Sequence, residues 1–325
     1  MADRSRKITR RLITGLVFGF LVFLALILFG DIRQVSSQML AFQWAYFPAI
    51  LSLTLFNYIL RFFKWHYYLG QVGIRNLSLL ESARLFLAGF PLAVTPGKVG
   101  EALKAIWLER ETGLPVSKGI SVVLAERVSD GLGVIVLSTL GVIATPRYWP
   151  AYAAVLGVLV LMIVLIQIRP AALWLLDLGS RLPILKRISG NLREFYEGSY
   201  LLFKPRPLLI AVGIGTISWL GEGIGLYYVL KGLGIPGGWE TLSIAVFVLA
   251  FSTVIGAVSA LPGGLGAAEV SIAGMLVLLL SVSKETAAAA TLLIRFATLW
   301  FAVTLGLCVW VVYREFLFLP EKSPE

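Results

Sequence analysis

Apolar residues in this chain come in long blocks separated by short polar stretches, and the block lengths predict the elements. Leu12–Gly30 is a 19-residue apolar run, and Tyr46–Phe63, Gly119–Ala144, Ala151–Ile168, Pro207–Leu230 and Ala287–Val312 follow as further blocks. Each nears or exceeds the roughly 18 to 20 residues needed to cross a hydrocarbon core of about 30 Å. Two other apolar stretches are interrupted. Residues 82–108 are broken at Pro91 and at Pro96-Gly97, and residues 241–282 are broken by "SALPGGLGAAEVSI" (259–272). The pattern predicts an all-α polytopic membrane protein, with about six full transmembrane helices and two re-entrant helical hairpins; the alternative is that 241–260, long enough to cross, is a full span.

Composition agrees. The chain of 325 residues is 58% hydrophobic and 14% charged, with a mean hydropathy of +0.87, where a soluble domain carries about 25% charged residues. The net charge of +10 is explained by basic residues gathered in loops on one side of the membrane, so nucleic acid is not an expected partner. The loops assigned to the outer side (31–45, 145–150, 231–240 and 283–286) each carry only one or two charged residues. This asymmetry puts both termini in the cytoplasm. The N-terminal run is longer than a signal-peptide core and reads as a retained first span. Residues 169–206 hold seven basic and three acidic residues among leucines and aromatics, and are expected to form a cytoplasmic amphipathic elbow.

Candidate chemistry is narrow. Cys308 is the single cysteine and His66 the single histidine, which leaves no thiolate metal cluster, no zinc site and no Ser-His-Asp catalysis of the usual kind. No cofactor fingerprint occurs and no cofactor is expected. The aromatic cluster "FFKWHYY" (62–68), with His66 inside it, reads as an interfacial belt. "GEGIG" (221–225) reads as a close-packing motif.

The two interruptions resemble each other. "TPGKVGE" (95–101) and "LPGGLGAAE" (261–269) share a P-G-x-x-G core, formed by Pro96, Gly97 and Gly100 in the first and Pro262, Gly263 and Gly266 in the second. Glu101 follows one and Glu269 the other. Arg127 stands 26 residues after Glu101, and Arg295 stands 26 residues after Glu269. These matches predict an internal duplication, with pseudo-repeats over about 12–144 and 151–312. The span count gives the copies opposite directions across the membrane, the inverted-repeat design that transporters use to build a midplane site. Proline and glycine at membrane depth end one helix and expose the N–H groups of the next, a positive end suited to phosphate.

Ionisable residues inside apolar spans mark the same region. Glu126, Arg127 and Asp130 lie within one span and would cost about 2.5–3.5 kcal/mol each if they faced lipid. Arg127 and Asp130 are three apart and are expected to pair. Arg295 has no acidic neighbour in sequence, so its partner is sought among Glu269, Glu222 and Glu101. Lys98 and Arg84 are expected at the cytoplasmic mouth, whereas Lys64 is expected on the cytoplasmic surface. The substrate-binding set is therefore Lys98, Glu101, Glu126, Arg127, Asp130, Glu222, Glu269 and Arg295. Intramembrane charges of this kind point to a polar cavity, although a structural ion-pair network explains them as well.

"TPGKVGEALKAIWL", "ERVSDGLG", "ALPGGLGAAEVSI" and "RFATLWFAVTLG" together resemble the membrane domain of the lysylphosphatidylglycerol synthase/flippase family, over about residues 10–315. The resemblance implies a non-enzymatic lipid translocase of the cell membrane, without the synthase domain, for aminoacylated phosphatidylglycerol or a polyprenyl- or glyco-phospholipid. The expected partner is thus a membrane phospholipid or lipid-linked substrate, with a homodimer and a separate lipid-modifying enzyme as further expected associations. Two alternatives stay open: a membrane-embedded transferase acting on lipid-linked substrates, and a non-catalytic partner of lipid-modifying enzymes.

Overall fold

A computed structural model describes residues 31–95, 100–144, 149–181 and 186–314, together with Thr14, Val17, Gly19, Leu21, Val22 and Leu317. The expected first span, Leu12–Gly30, lies largely outside the described residues, as do Pro96, Gly97 and Lys98 of the first turn. Everything regular among the described residues is helical. The helices are α1 (Ile32–Ala41), α2 (Phe47–Gln71), α3 (Leu79–Ala88), α4 (Ala102–Thr112), α5 (Val116–Ala144), α6 (Trp149–Gln167) and α7 (Arg169–Gly179). They continue as α8 (Ser189–Leu202), α9 (Pro205–Gly232), α10 (Trp239–Val258), α11 (Ala267–Leu280), α12 (Lys284–Arg295) and α13 (Phe301–Val312).

Local sequence explains where they start. Ser78 caps α3, its hydroxyl accepting the Glu81 N–H while the Glu81 carboxylate accepts the Ser78 N–H, a reciprocal pair that occupies otherwise orphaned donors. Ser283 caps α12 by accepting the Thr286 N–H at 3.2 Å. Proline in the first turn opens α2, α7 and α9, where its missing N–H costs nothing.

Five helices among the described residues are long and apolar enough to cross a membrane: Trp44–Gln71, Pro205–Gly232, Trp239–Val258, Pro262–Leu280 and Lys284–Val312. The charged α5 is 29 residues long, about 44 Å at 1.5 Å per residue. The helix α6 breaks at Ile168, and α7 leaves at 79° to its last part, at the point where the charge run predicts an elbow. α7 and α8 occupy that elbow, with Trp174, Leu175 and Leu178 of α7 exposed.

The two interrupted stretches differ in length. In the first, α3 and α4 have 10 and 11 residues, too short to cross singly. In the second, α10 has 20 residues and is long enough on its own.

Two apolar cores lie side by side. One gathers residues such as Trp65, Leu85, Phe86, Leu108 and Val122 from α2 to α5. The other gathers Leu226, Val248, Leu276 and Leu293 from α9 to α12, together with Ile50 of α2. The seam is crossed by α2 and α9, which pack against each other more extensively than any other pair of elements. Gly221 makes that approach feasible, since a Cβ there would stand 3.2 Å from the Phe56 ring and 3.4 Å from the Leu53 carbonyl oxygen. Small residues bring membrane helices together in this way.

Candidate functional site

Between the two cores is a cavity of about 160 Å³ whose wall draws on both halves of the chain. Phe86 and Phe90 come from the first core; Leu249 and Ile272 come from the second. Arg61, Lys104, Arg127 and Arg295 reach it as cations, and Glu101, Glu126 and Glu222 as carboxylates. A cavity of that size accommodates a phosphate-sized group or several waters, each water taking about 30 Å³.

The second turn builds one wall. Gly263 and Gly264 take φ of +62° and +68°, and a Cβ on Gly264 would come within 2.9 Å of the Gly256 backbone, so glycine is required on both conformational and spatial grounds. The turn folds against α10 and is tied down by Arg295, whose Nη2 donates to the Gly263 carbonyl at 3.0 Å. The Nε of Arg295 pairs with Glu269 Oε1 at 2.5 Å, and the other oxygen of Glu269 accepts the Gly266 N–H at 2.6 Å. Glu269 therefore serves its own helix start. It occupies one donor of that start, the N–H of the residue before the helix, because the third residue of the helix reaches back over the cap. On the first side, the Gly100 N–H likewise donates to Thr95 Oγ1 at 3.0 Å.

The first half repeats the pairing. Arg127 Nε lies 3.2 Å from Glu101 Oε2, and Arg127 Nη2 donates to Glu126 Oε1 at 2.9 Å. Of the candidates for Arg295, Glu269 is the partner; Glu101 pairs with Arg127 instead. The expected pair between Arg127 and Asp130 is not formed. Asp130 turns to Lys64, which bonds it directly, and to Arg61 at 3.4 Å. Interhelical partners win here because α4 flanks α5 on one side of Arg127 while α2 flanks it on the other.

Lys64 also corrects its predicted place. It is 0% exposed, since α2 runs on to Gln71 and turns one face of residues 61–68 into the protein. Trp65 and Tyr68 are buried with it while Phe63 is exposed, so the inward face of the aromatic cluster belongs to the core, and His66 faces Ser82 Oγ at 3.0 Å. Arg84 sits over the Tyr313 ring, 4.3 Å from its centroid, and is absent from the cavity wall. The position of Lys98 lies outside the described residues.

Glu126 is the hub. It is 0% exposed and takes Lys104 at 2.8 Å, Arg127 at 2.9 Å and Arg61 at 3.4 Å. Lys104 is further enclosed by the Trp65 ring at 4.0 Å, a cation–π contact. Three cations converge on this one buried carboxylate, and two of them are shared, Arg61 with Asp130 and Arg127 with Glu101. The arginine side chains keep open faces, 31% exposed for Arg127 and 14% for Arg295, while Glu126 and Glu269 beneath them have none. Glu222 also lines the cavity, without a hydrogen bond or ion pair among the described residues. Tyr58 closes one edge, donating to the Thr298 carbonyl at 2.6 Å, inside a π turn (Phe296–Trp300) that joins α12 to α13. Such turns recur at functional sites.

Arg61, Lys64, Lys104 and Tyr58 escape the sequence reading. The signal available is a stripe on α2 at helical spacing, Thr54, Asn57, Arg61, Lys64 and Tyr68, which places polar groups on one inward face. Among the described residues, no cluster of His, Cys, Asp and Glu is arranged to hold a metal ion.

A comparison at family level matches residues 15–306 to the lysylphosphatidylglycerol synthase TM region. The chain belongs to this family. A UPF0104 membrane protein of Methanothermobacter thermautotrophicus is 25% identical over 311 residues, covering 88% of this chain and 89% of the relative. One from Pyrococcus horikoshii is 23% identical over 319 residues, covering 90% and 94%. The family match and the apolar helices together make this a membrane protein of the lysylphosphatidylglycerol synthase type.

Proposed function

We propose that this member of the family is a lipid translocase, which moves a phosphate-bearing lipid across the cytoplasmic membrane without changing it covalently. The observation that carries the reading is the cavity wall, where arginines from both halves present open faces above sealed carboxylates. Guanidinium groups bind phosphate through paired, charge-assisted hydrogen bonds, and the acyl chains remain in the bilayer. The lipid class is an aminoacylated phosphatidylglycerol or a polyprenyl- or glyco-phospholipid.

The same reading includes an inverted repeat with N- and C-termini in the cytoplasm. Its support is the recurrence of the Glu–Arg pair at one sequence spacing in each half, each beside an interrupted helix. Such a design presents one site alternately to the two sides. The two interrupted stretches are then the moving hairpins, approached from opposite faces.

The test is transport in proteoliposomes, read by dithionite reduction of headgroup-labelled lipid. The parent chain should expose inner-leaflet label within the assay. Arg295→Lys, which keeps charge but not the planar fork, should be slower, and Arg295→Gln slower still at equal protein incorporation. Label movement as fast in Arg295→Gln as in the parent removes the phosphate-clamp role. A covalently altered lipid recovered from the vesicles would instead favour a transferase.

A further inference from the structure

We infer that Glu222 is a proton-binding site coupled to the cavity, so that binding one phosphodiester monoanion takes up one proton. The inference rests on the phosphate-lipid reading above and adds to it what balances the charge.

Among the described residues, the cavity wall and the side chains ion-paired to it hold five cations (Arg61, Lys64, Lys104, Arg127 and Arg295) and five carboxylates (Glu101, Glu126, Asp130, Glu222 and Glu269), and four of the carboxylates are held in ion pairs at 4 Å or less. Glu222 is the exception. It is 5% exposed, lies about two-thirds of the way along α9 and lines the cavity, and it makes no hydrogen bond or ion pair among the described residues. A phosphodiester carries one negative charge. Its arrival leaves this enclosed region with one negative charge in excess, in surroundings where uncompensated charge is expensive. Glu222 is the group that can remove the excess without breaking an existing pair. The carboxylate oxygen takes a proton from solvent, the O–H bond forms as the phosphate seats, and departure of the phosphate releases the proton. Nothing is oxidised or reduced.

The environment of Glu222 suits an exchange of this kind. α2 presents Tyr58 and Arg61, α5 presents Asp130 and α12 presents Arg295 at longer range. α10 contributes Ser252 and Thr253 to the same wall, and no charge. The turn at 44–46 meets α9 near Lys231, and α8 adjoins its first residues through the turn at Phe203 and Lys204; both are at the ends of α9. Of the cations that act on it, Arg61 is engaged with Glu126 and Asp130, and Arg295 with Glu269, so each attracts the Glu222 carboxylate without pairing with it when the cavity is empty. A bound phosphate draws these cations towards itself and weakens their hold on Glu222 further.

Linkage fixes the sign. If the bound state holds one more proton than the free state, affinity falls as pH rises, by up to about tenfold per pH unit. The probes are dioleoylphosphatidylglycerol and glycerophosphoglycerol, which carries the same phosphodiester without acyl chains. Binding to the purified full chain in detergent is followed by isothermal titration calorimetry from about pH 5 to about pH 9. Proton uptake is read in parallel with an indicator dye in weak buffer. The expected result is uptake of about one proton per bound phosphodiester, with matching pH dependence. In Glu222→Gln, which is close in shape, uptake should vanish and affinity should stay near the parent's low-pH value across the range. Lipid binding with a flat pH dependence in the parent overturns this inference and leaves the lipid reading intact. Dependence on sodium in place of pH overturns it too. Failure of both probes to bind at any pH brings down both readings, and equal coupled affinity for the two probes supports the proton site while assigning it to a soluble phosphodiester.

Discussion

Arg295 and Glu269 are 26 residues apart along the chain and 2.5 Å apart in space. Arg127 and Glu101 stand in the same relation, 3.2 Å apart across the same sequence spacing. Each pair joins the start of one helix, α4 or α11, to the helix that follows it. The carboxylate is buried and the arginine keeps a face on the cavity, so each pair ties two helices together and offers a donor surface, and Arg295 also holds the turn at Gly263.

Because Glu269 is fully buried, removing Arg295 leaves an uncompensated charge in the interior. Arg295→Ala should lower stability by about 3–5 kcal/mol, read as thermal unfolding in detergent. Adding Glu269→Gln should recover part of the loss, since the double variant buries no lone charge. Additive losses would show that the two residues act independently.

Lys64 and Asp130 give a second test, because sequence places that lysine at the surface and the structure places it in the core. Lys64→Ala should destabilise by about 3–5 kcal/mol, the cost of orphaning a buried partner. Arg193→Ala, at an exposed position of the elbow, should stay within about 0.5 kcal/mol of the parent. Equal melting of the two variants would place Lys64 in solvent.

At Gly264 the backbone itself is the constraint. Gly264→Ala adds a methyl group 2.9 Å from the Gly256 backbone at a φ of +68°. The strain of a side chain in the left-handed region is about 1–3 kcal/mol before the clash is counted. Reduced yield of folded protein and a lower melting temperature are expected. Gly274→Ala, where a Cβ meets nothing within 4 Å, should be neutral or slightly stabilising.

Topology is open to labelling. In a Cys308→Ser background, Glu111→Cys and Lys284→Cys should react with a membrane-impermeant maleimide from opposite sides of the membrane. Labelling of both from one side would contradict the inverted repeat.

Much of the architecture is readable because burial in lipid demands long apolar blocks, and these survive in sequence from Tyr46 to Val312. The Glu–Arg spacing is readable for a different reason: the same count of 26 residues recurs, and each count ends on an ion pair. What escapes reading is the choice among partners. Arg127 and Asp130 look like a pair at a three-residue separation, yet Glu101 and Lys64 claim them from neighbouring helices, and no local periodicity encodes which helices adjoin. Lys64 is missed for a related reason. Charge next to aromatics marks a membrane surface as readily as a core, and only the contact of α2 with α5 and α9 decides between them. Lys98, Pro96 and Gly97 remain expectations from sequence, outside the described residues.

The π turn at Phe296–Trp300 gives the last span two different environments. Before it, residues Thr286–Ile294 of α12 are all buried; after it, α13 buries only Val303 and Gly306 and leaves Leu307, Val311 and Val312 exposed. One surplus residue per turn shifts the helical phase by about 100°, so a single strut can be a central pillar on one side of the turn and an outer stave on the other. Excising one residue from this turn would rotate α13 by the same angle relative to Arg295. Apolar staves would then turn inward, and the membrane face would inherit whatever α13 now hides.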